Sequence, residues 1–170
     1  WLLWAPSFVG AVSMTNDPKG FRNIAWGTAL HARADLEPTG RGRNIIEYRF
    51  KNSAPSFADI PVESLHLSTV DDQFARVTIR YRGEETHKKI LAFLESEFGP
   101  TERLPGQMLR GLNQQYTWRG SESEINLTYQ AGTERGKVQG EGGKAMLHRA
   151  GPEVALKRGA HDSAGRRRAG

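Results

Sequence analysis

Two polar side chains on one predicted strand have the residue types of a hydrolytic site. His66 and Ser68 are two positions apart, so in a strand both project from the same face. A serine nucleophile needs a histidine base and an orienting carboxylate, and Asp71 and Asp72 follow in sequence. However, no Gly-x-Ser-x-Gly segment frames the serine, and adjacent aspartates are typical of a hairpin turn. We therefore predict no catalytic residues, with a hydrolase that uses His66 and Ser68 as the alternative.

The histidines and acidic residues lack the spacing of a metal site. None of the five histidines lies at zinc-ligand spacing from another, and no His-Glu-x-x-His segment occurs. Glu84, Glu85 and His87 offer oxygen and nitrogen donors, but at the start of a helix they are typical of a solvated cluster that complements the helix dipole. The chain has no cysteine, which excludes disulfides, thiolate ligands and cysteine nucleophiles. We predict no metal, no cofactor and no enzymatic activity.

One predicted strand alternates between an apolar and a basic face. Its apolar positions are Ala75, Val77, Ile79 and Tyr81, and its polar positions are Arg76, Thr78, Arg80 and Arg82. If a helix covers the apolar side, the polar side forms a basic stripe on the open face of a sheet. Such a stripe would bind an anionic lipid head group, a polyanionic glycan or a protein strand. The simpler interpretation is a solvated face whose charges pair with Glu47 or Glu124.

The segment from Phe21 to Leu30 suggests a second binding hypothesis. Trp26 precedes Gly27, which can take positive φ, and Thr28, which we expect to cap a short helical turn. The simpler interpretation is that Trp26 closes one end of the core, and the alternative is that it lines a ligand groove. The candidate binding residues are therefore Trp26, Arg76, Thr78, Arg80 and Arg82.

The elements that would position these side chains follow two periodicities. Alternating apolar residues predict strands over 45–50, 65–70, 75–82, 116–118 and 125–129. Apolar residues at helical spacing within 84–100 predict one helix that stops at Gly99 and Pro100. The order β-β-β-α-β-β predicts an α+β fold, in which an antiparallel sheet carries one main helix on one face.

Charge and glycine are distributed unevenly along the 170 residues. Residues 131–170 contain nine Lys or Arg but four Asp or Glu, whereas residues 1–130 contain fifteen of each. Nine of the 19 glycines also lie in 131–170, and large aliphatic residues are rare there. Such a segment buries too little apolar area to offset the entropy of ordering it. We predict a single domain over 17–130 and a disordered, basic Gly/Arg-rich tail over 131–170, with non-native sequence as an alternative origin of the tail.

The N-terminal residues have the layout of an export signal. Residues 1–13 are mostly apolar and end in the small residues Ala11-Val12-Ser13, before a polar run. This stretch is shorter than the roughly 20 apolar residues of a membrane span. We interpret it as the remnant of a secretory signal peptide and expect a periplasmic or secreted protein that begins near Met14. An exported protein meets little nucleic acid, so we expect Arg166-Arg167-Arg168 to bind none, although nucleic-acid binding through the tail is a further alternative.

Several short segments together resemble a known group of proteins. These are NDPKGFRNIAWGTAL at 16–30, FARVTIRY at 74–81, FLESEFGP at 93–100 and YTWRGSESEINLTY at 116–129. They are similar to a group of small uncharacterised exported proteins of Gram-negative bacteria with an F-x-x-I-x-W-G-T start and a Y-x-W-x-G hairpin. Here Pro100 stands one place early relative to the group's pattern. The resemblance implies an exported α+β domain and no activity, which favours a small non-catalytic binding or envelope-associated module.

Overall fold

The computed structural model describes residues 13–101, 113–143, 145 and 146. Within them the chain forms a 15-residue α-helix, a short 3₁₀ turn at Leu30–Ala32 and eleven strands, and residues 145 and 146 are also helical. In chain order the elements are β1 (Gly20–Phe21), β2 (Ile24–Ala25), β3 (Leu36–Arg41), β4 (Ile45–Phe50), β5 (Ser56–Phe57), β6 (Ile60–Pro61), β7 (Ser64–Val70), β8 (Gln73–Arg82), α1 (Glu84–Phe98), β9 (Asn113–Arg119), β10 (Ser123–Gln130) and β11 (Arg135–Gly142).

Seven of these strands form one antiparallel sheet in the order β3-β4-β7-β8-β11-β10-β9. The predicted antiparallel sheet with one helix is therefore confirmed, but the predicted strand order is incomplete. The apolar periodicity did not predict β3, β11 or the two short hairpins β1-β2 and β5-β6. Pro38 and Gly40 disfavour a strand, and β3 tolerates them because it lies at the sheet edge and has a register irregularity between them.

Helix α1 covers one face of the sheet. Its buried side chains are His87, Ile90 and Leu94, which recur at helical spacing and pack on the face that carries Val77 and Ile79. We call this the helix-covered face and the opposite one the open face. The helix ends at Phe98 because Gly99 has a φ of 88°, as the Gly-Pro pair predicts. In the described parts of the chain, no helix is long and apolar enough to cross a membrane.

Strand β11 overturns the predicted boundary at Gln130. Residues 135–142, assigned by composition to a disordered tail, pair with β8 on one side and with β10 on the other. The rest of the predicted tail, apart from a few residues on either side of β11, lies outside the described residues, as do residues 1–12 of the predicted signal segment. The prediction of disorder for 135–142 is therefore wrong, because it rested on the number of large aliphatic residues, whereas β11 packs against side chains from other parts of the chain.

Those side chains are two aromatic rings that occupy the space above glycines of β11. A Cβ at Gly136 would collide with the ring of Tyr81, and a Cβ at Gly142 would collide with the ring of Trp26. Both glycines are buried and lie on the helix-covered face. A glycine-rich strand can thus pack densely when neighbouring aromatic groups cover its bare backbone.

The N-terminal boundary also lies earlier than Asp17. Met14 is buried in the core, and its backbone N–H donates to the carbonyl of Arg119 at 3.0 Å. The Asp17 carboxylate then accepts hydrogen bonds from the turn between β9 and β10, namely from the Ser121 hydroxyl, the Glu122 N–H and the Ser123 hydroxyl. The folded domain therefore includes at least residues 14–16 in addition to the predicted range.

We predict that Gly136→Ala strongly destabilises the fold. The added methyl group meets a Tyr81 ring that is itself buried and hydrogen-bonded to His87, so the ring has little freedom to move aside. Overpacking of this kind costs about 3 kcal/mol of unfolding free energy, measurable by urea denaturation. The matched control is Gly132→Ala, where a Cβ meets no atom within 4 Å. Equal stability of the two variants would contradict the packing role of Tyr81.

Candidate functional site

The open face is polar and carries most of the predicted binding residues. Strand pairing places residues of β8, β11, β10 and β9 in rows across it. The first row is Arg76, Glu141, Glu124 and Arg119; the second is Thr78, Gln139, Asn126 and Thr117; the third is Arg80, Lys137, Thr128 and Gln115; the fourth is Arg82, Arg135, Gln130 and Asn113. Acidic residues occur in the first row alone among these four. The two ends of the face therefore differ in charge.

Charge at the first row is compensated. Arg76 Nε lies 2.9 Å from Glu141 Oε1, and Glu141 is 2% exposed. Arg119 Nε lies 3.1 Å from Glu124 Oε2, and Glu124 is also buried. Arg76 thus forms an ion pair with the buried Glu141, whereas the sequence suggested Glu47 or Glu124 as its partner. Thr78 lies in the neutral second row between this pair and the basic rows.

The third and fourth rows form a cationic cluster, which we define as Arg80, Arg82, Arg135 and Lys137. Arg80 lies directly opposite Lys137, and Arg82 lies directly opposite Arg135. Like charges at facing positions destabilise a sheet by about 0.2 to 1 kcal/mol per pair. Among the described residues, Glu63 is the one carboxylate that forms an ion pair with this cluster, 3.3 Å from Arg82 Nε.

Half of this cluster was missed at the sequence level. Arg135 and Lys137 were assigned to the tail, so the folded part was taken as neutral. The signal was present as an alternation, because Arg135, Lys137, Gln139 and Glu141 occupy every second position. Glycines occupy most of the intervening positions, and the pattern was therefore interpreted as low complexity instead of as a strand.

Trp26 lies on the other side of the sheet, against the helix-covered face. Its indole N–H donates to the Pro18 carbonyl at 2.8 Å, and its ring packs on Phe74 with centroids 4.7 Å apart. Gly27 has a φ of 88° and its N–H donates to the Phe74 carbonyl. The predicted Thr28 cap is wrong, because the Thr28 hydroxyl donates to the Ala25 carbonyl. Trp26 thus lies on the opposite face of the sheet from the basic rows and packs against the core.

His66 and Ser68 both lie on the open face, but the structure does not join them into a site. Ser68 is 4% exposed and faces Arg76 in the neighbouring strand. His66 lines a polar cleft of about 680 Å³ with Arg49, Lys51 and others, and Ser68 is not among the residues that line this cleft. A serine and its base must be within hydrogen-bond reach, and no such bond links this pair in the described chain.

His87 is not part of a solvated acidic cluster as predicted, because its ring is buried under α1. Its Nδ1 lies 2.8 Å from the Tyr81 hydroxyl, and its Nε2 lies 2.9 Å from Gln114 Oε1. Since the Gln114 oxygen can only accept, Nε2 carries the proton and Nδ1 accepts from Tyr81. The ring also stacks on Tyr129 at 4.1 Å. Within the described residues, no group of three potential ligands could hold a metal ion.

We predict that neutralisation of Arg76 lowers the stability of the fold and that neutralisation of Arg80 does not. Arg76→Gln removes a charged hydrogen-bond partner of the buried Glu141 carboxylate, which lowers the unfolding free energy by about 2 kcal/mol. Arg80→Gln removes a charge that faces Lys137 and causes no loss. Chemical denaturation of the two single variants measures the difference. Equal losses would show that Glu141 does not depend on Arg76.

We predict an acid-dependent loss of stability that depends on His87. Burial lowers the pKa of His87 below its ordinary value, against the opposing effects of the Gln114 hydrogen bond and the Glu84 charge. The stabilisation is fully present above a pH of about 6.5, the unfolded pKa, and is lost as pH falls because the unfolded chain takes up the proton first. The unfolding free energy then decreases by at most about 1.4 kcal/mol per pH unit.

Urea denaturation between pH 7.5 and pH 5 tests this dependence. His87→Gln should flatten the slope, whereas His31→Gln, at an exposed histidine, should leave it as in the wild type. A slope that persists in the His87→Gln protein would assign the effect to another group.

Comparison with family models, with curated proteins and with solved structures gives no significant match to this chain. The candidate sites are therefore defined by geometry: the cationic cluster on the open face, and the region around Trp26 on the helix-covered face.

Proposed function

We propose that this chain is a small non-catalytic binding domain of the bacterial cell envelope. In this proposal its cationic cluster holds anionic lipid head groups. The observation that carries the proposal is the facing of Arg80 with Lys137 and of Arg82 with Arg135. Two like-charge pairs side by side reduce the stability of the sheet, and an anionic partner would relieve that cost on binding.

The shape of the cluster supports a surface as the partner. Its four side chains come from two adjacent strands, which lie about 4.8 Å apart, and successive same-face residues along each strand are about 6.7 Å apart. Such a group of charges on an open sheet face can contact several head groups of a membrane at once. Each Lys or Arg near an anionic membrane surface contributes about 1 kcal/mol of binding free energy.

The location in the envelope rests on the N-terminal residues. Residues 1–13 have the composition of an export signal, and an exported domain would meet anionic lipid at the membrane surface. The absence of cysteine is compatible with such a location. In this proposal the folded domain associates with the membrane surface through its cationic cluster.

We predict that Arg80→Gln combined with Lys137→Gln weakens membrane binding and raises stability together. Two lost charges lower the affinity for vesicles that contain phosphatidylglycerol by about 30-fold at low salt. Removal of the facing charges raises the unfolding free energy by about 0.5 kcal/mol. Vesicle sedimentation and urea denaturation measure the two effects, and a double-mutant cycle should give an unfavourable coupling between Arg80 and Lys137.

The control carries the same loss of charge elsewhere. Arg43→Gln combined with Lys89→Gln removes two exposed cations outside the cluster, one from the β3-β4 turn and one from α1. This control should bind vesicles as the wild type does, and vesicles of phosphatidylcholine alone should bind neither protein. Equal binding by the cluster variant and the wild type would overturn the proposal. If the wild-type protein bound soluble heparin more tightly than vesicles, the proposed partner would be a polyanionic glycan instead of a lipid.

A further inference from the structure

A cavity of about 200 Å³ lies between the helix-covered face of the sheet and the second half of α1. Aromatic side chains surround most of it, from the N-terminal hairpin, the β5-β6 hairpin and the helix. They include Phe21, Trp26, Phe57, Phe93 and Phe98, with Val138 of β11 at the floor. Several of these rings are only partly buried, so the cavity communicates with solvent.

The cavity exists because one glycine of β11 is left uncovered. Gly136, Gly140 and Gly142 all point to the helix-covered face. Aromatic rings fill the space above Gly136 and Gly142, but a Cβ at Gly140 would meet no atom within 4 Å. Gly140 lines the cavity, and so the missing side chain opens apolar space in the middle of the sheet.

Among the described residues that line the cavity, Arg22 is the one that carries a charge. Its guanidinium carbon lies 5.5 Å from the Phe21 ring centroid and 5.0 Å from that of Phe50, and its Nη2 donates to the Ser56 carbonyl. Its Nη2 also lies 3.3 Å from the Ser56 hydroxyl, and the other guanidinium N–H groups remain as donors. Arg22 also lines the polar cleft that holds His66, so its side chain lies between the two openings. The backbone of Arg22 has a φ of 47° in the β1-β2 turn, a conformation that favours glycine or asparagine.

We propose that this cavity is a binding site for the alkyl chain of a medium-chain carboxylate, with the carboxylate held by Arg22. Apolar cavities of about 150 Å³ bind benzene, so the present volume fits a chain of roughly six to eight carbons. The aromatic lining matches the alkyl chain, and the Arg22 guanidinium matches the carboxylate. This site is on the opposite side of the sheet from the cationic cluster and does not depend on the function proposed for it.

A chain-length series tests the proposal on the full-length protein. Isothermal titration with butanoate through decanoate should show a dissociation constant that tightens about fourfold per methylene. The gain should stop near octanoate, when the cavity is full. Gly140→Val should abolish binding, because its side chain occupies the cavity, and Gly140→Ala should move the optimum about one carbon shorter. Gly132→Ala adds a methyl group in the β10-β11 turn and should bind as the wild type.

The charged contact is tested separately with Arg22→Gln. This variant should bind octanoate about tenfold more weakly and octanol with unchanged affinity. Arg80→Gln combined with Lys137→Gln should keep octanoate binding, since those residues lie on the open face. Circular dichroism and thermal melts establish that each variant is folded. If Gly140→Val does not fold, the shorter chain-length optimum of Gly140→Ala provides the test.

Three results would overturn the proposal. One is equal affinity of wild type, Gly140→Ala and Gly140→Val for octanoate. The second is an affinity that rises with chain length through decanoate alike in all variants, which indicates adsorption to the surface. The third is loss of octanoate binding in the Arg80→Gln/Lys137→Gln protein, which would move the carboxylate to the open face.

Discussion

The packing of two aromatic rings on glycines of one strand is the contact on which this architecture depends. Tyr81 covers Gly136 and Trp26 covers Gly142, and β11 is thereby held between β8 and β10. In the described sheet, β11 is the strand that connects β10 and β9 to β8. The ring of Tyr81 is fixed in turn by His87 of the helix. The helix, the sheet and β11 therefore stabilise one another through these contacts. The glycine-rich β11 packs well although it has few large aliphatic side chains.

Each face of β11 has its own role. Its glycines face the helix, where two are covered by rings and the third, Gly140, leaves room for a ligand. Its charged residues face away, where Arg135 and Lys137 stand beside Arg80 and Arg82. The period of two along a strand separates these functions, because successive residues project to opposite faces. A single segment thus contributes to both proposed sites.

Electrostatics on the open face shows why charged residues of one strand differ in role. Arg76 faces a buried glutamate, and that ion pair is part of the structure. Arg80, four residues further along the same face, stands opposite a lysine. Stability would favour an acid or a neutral residue there, and the proposed binding role accounts for the facing cations.

The sequence alone determined the elements with strong local patterns. The alternation from Leu65 to Arg82, the helix that stops at Gly99 and the antiparallel α+β class follow from periodicity and backbone preferences, which act over a few residues. Tertiary structure decided that β11 forms a strand of the sheet, that His87 is buried and that Arg76 pairs with Glu141. Each of these depends on side chains far apart in sequence, as when Tyr81 and Trp26 replace the apolar groups that β11 lacks. The composition of a segment counts its own apolar side chains, whereas its folding also depends on the side chains that pack against it.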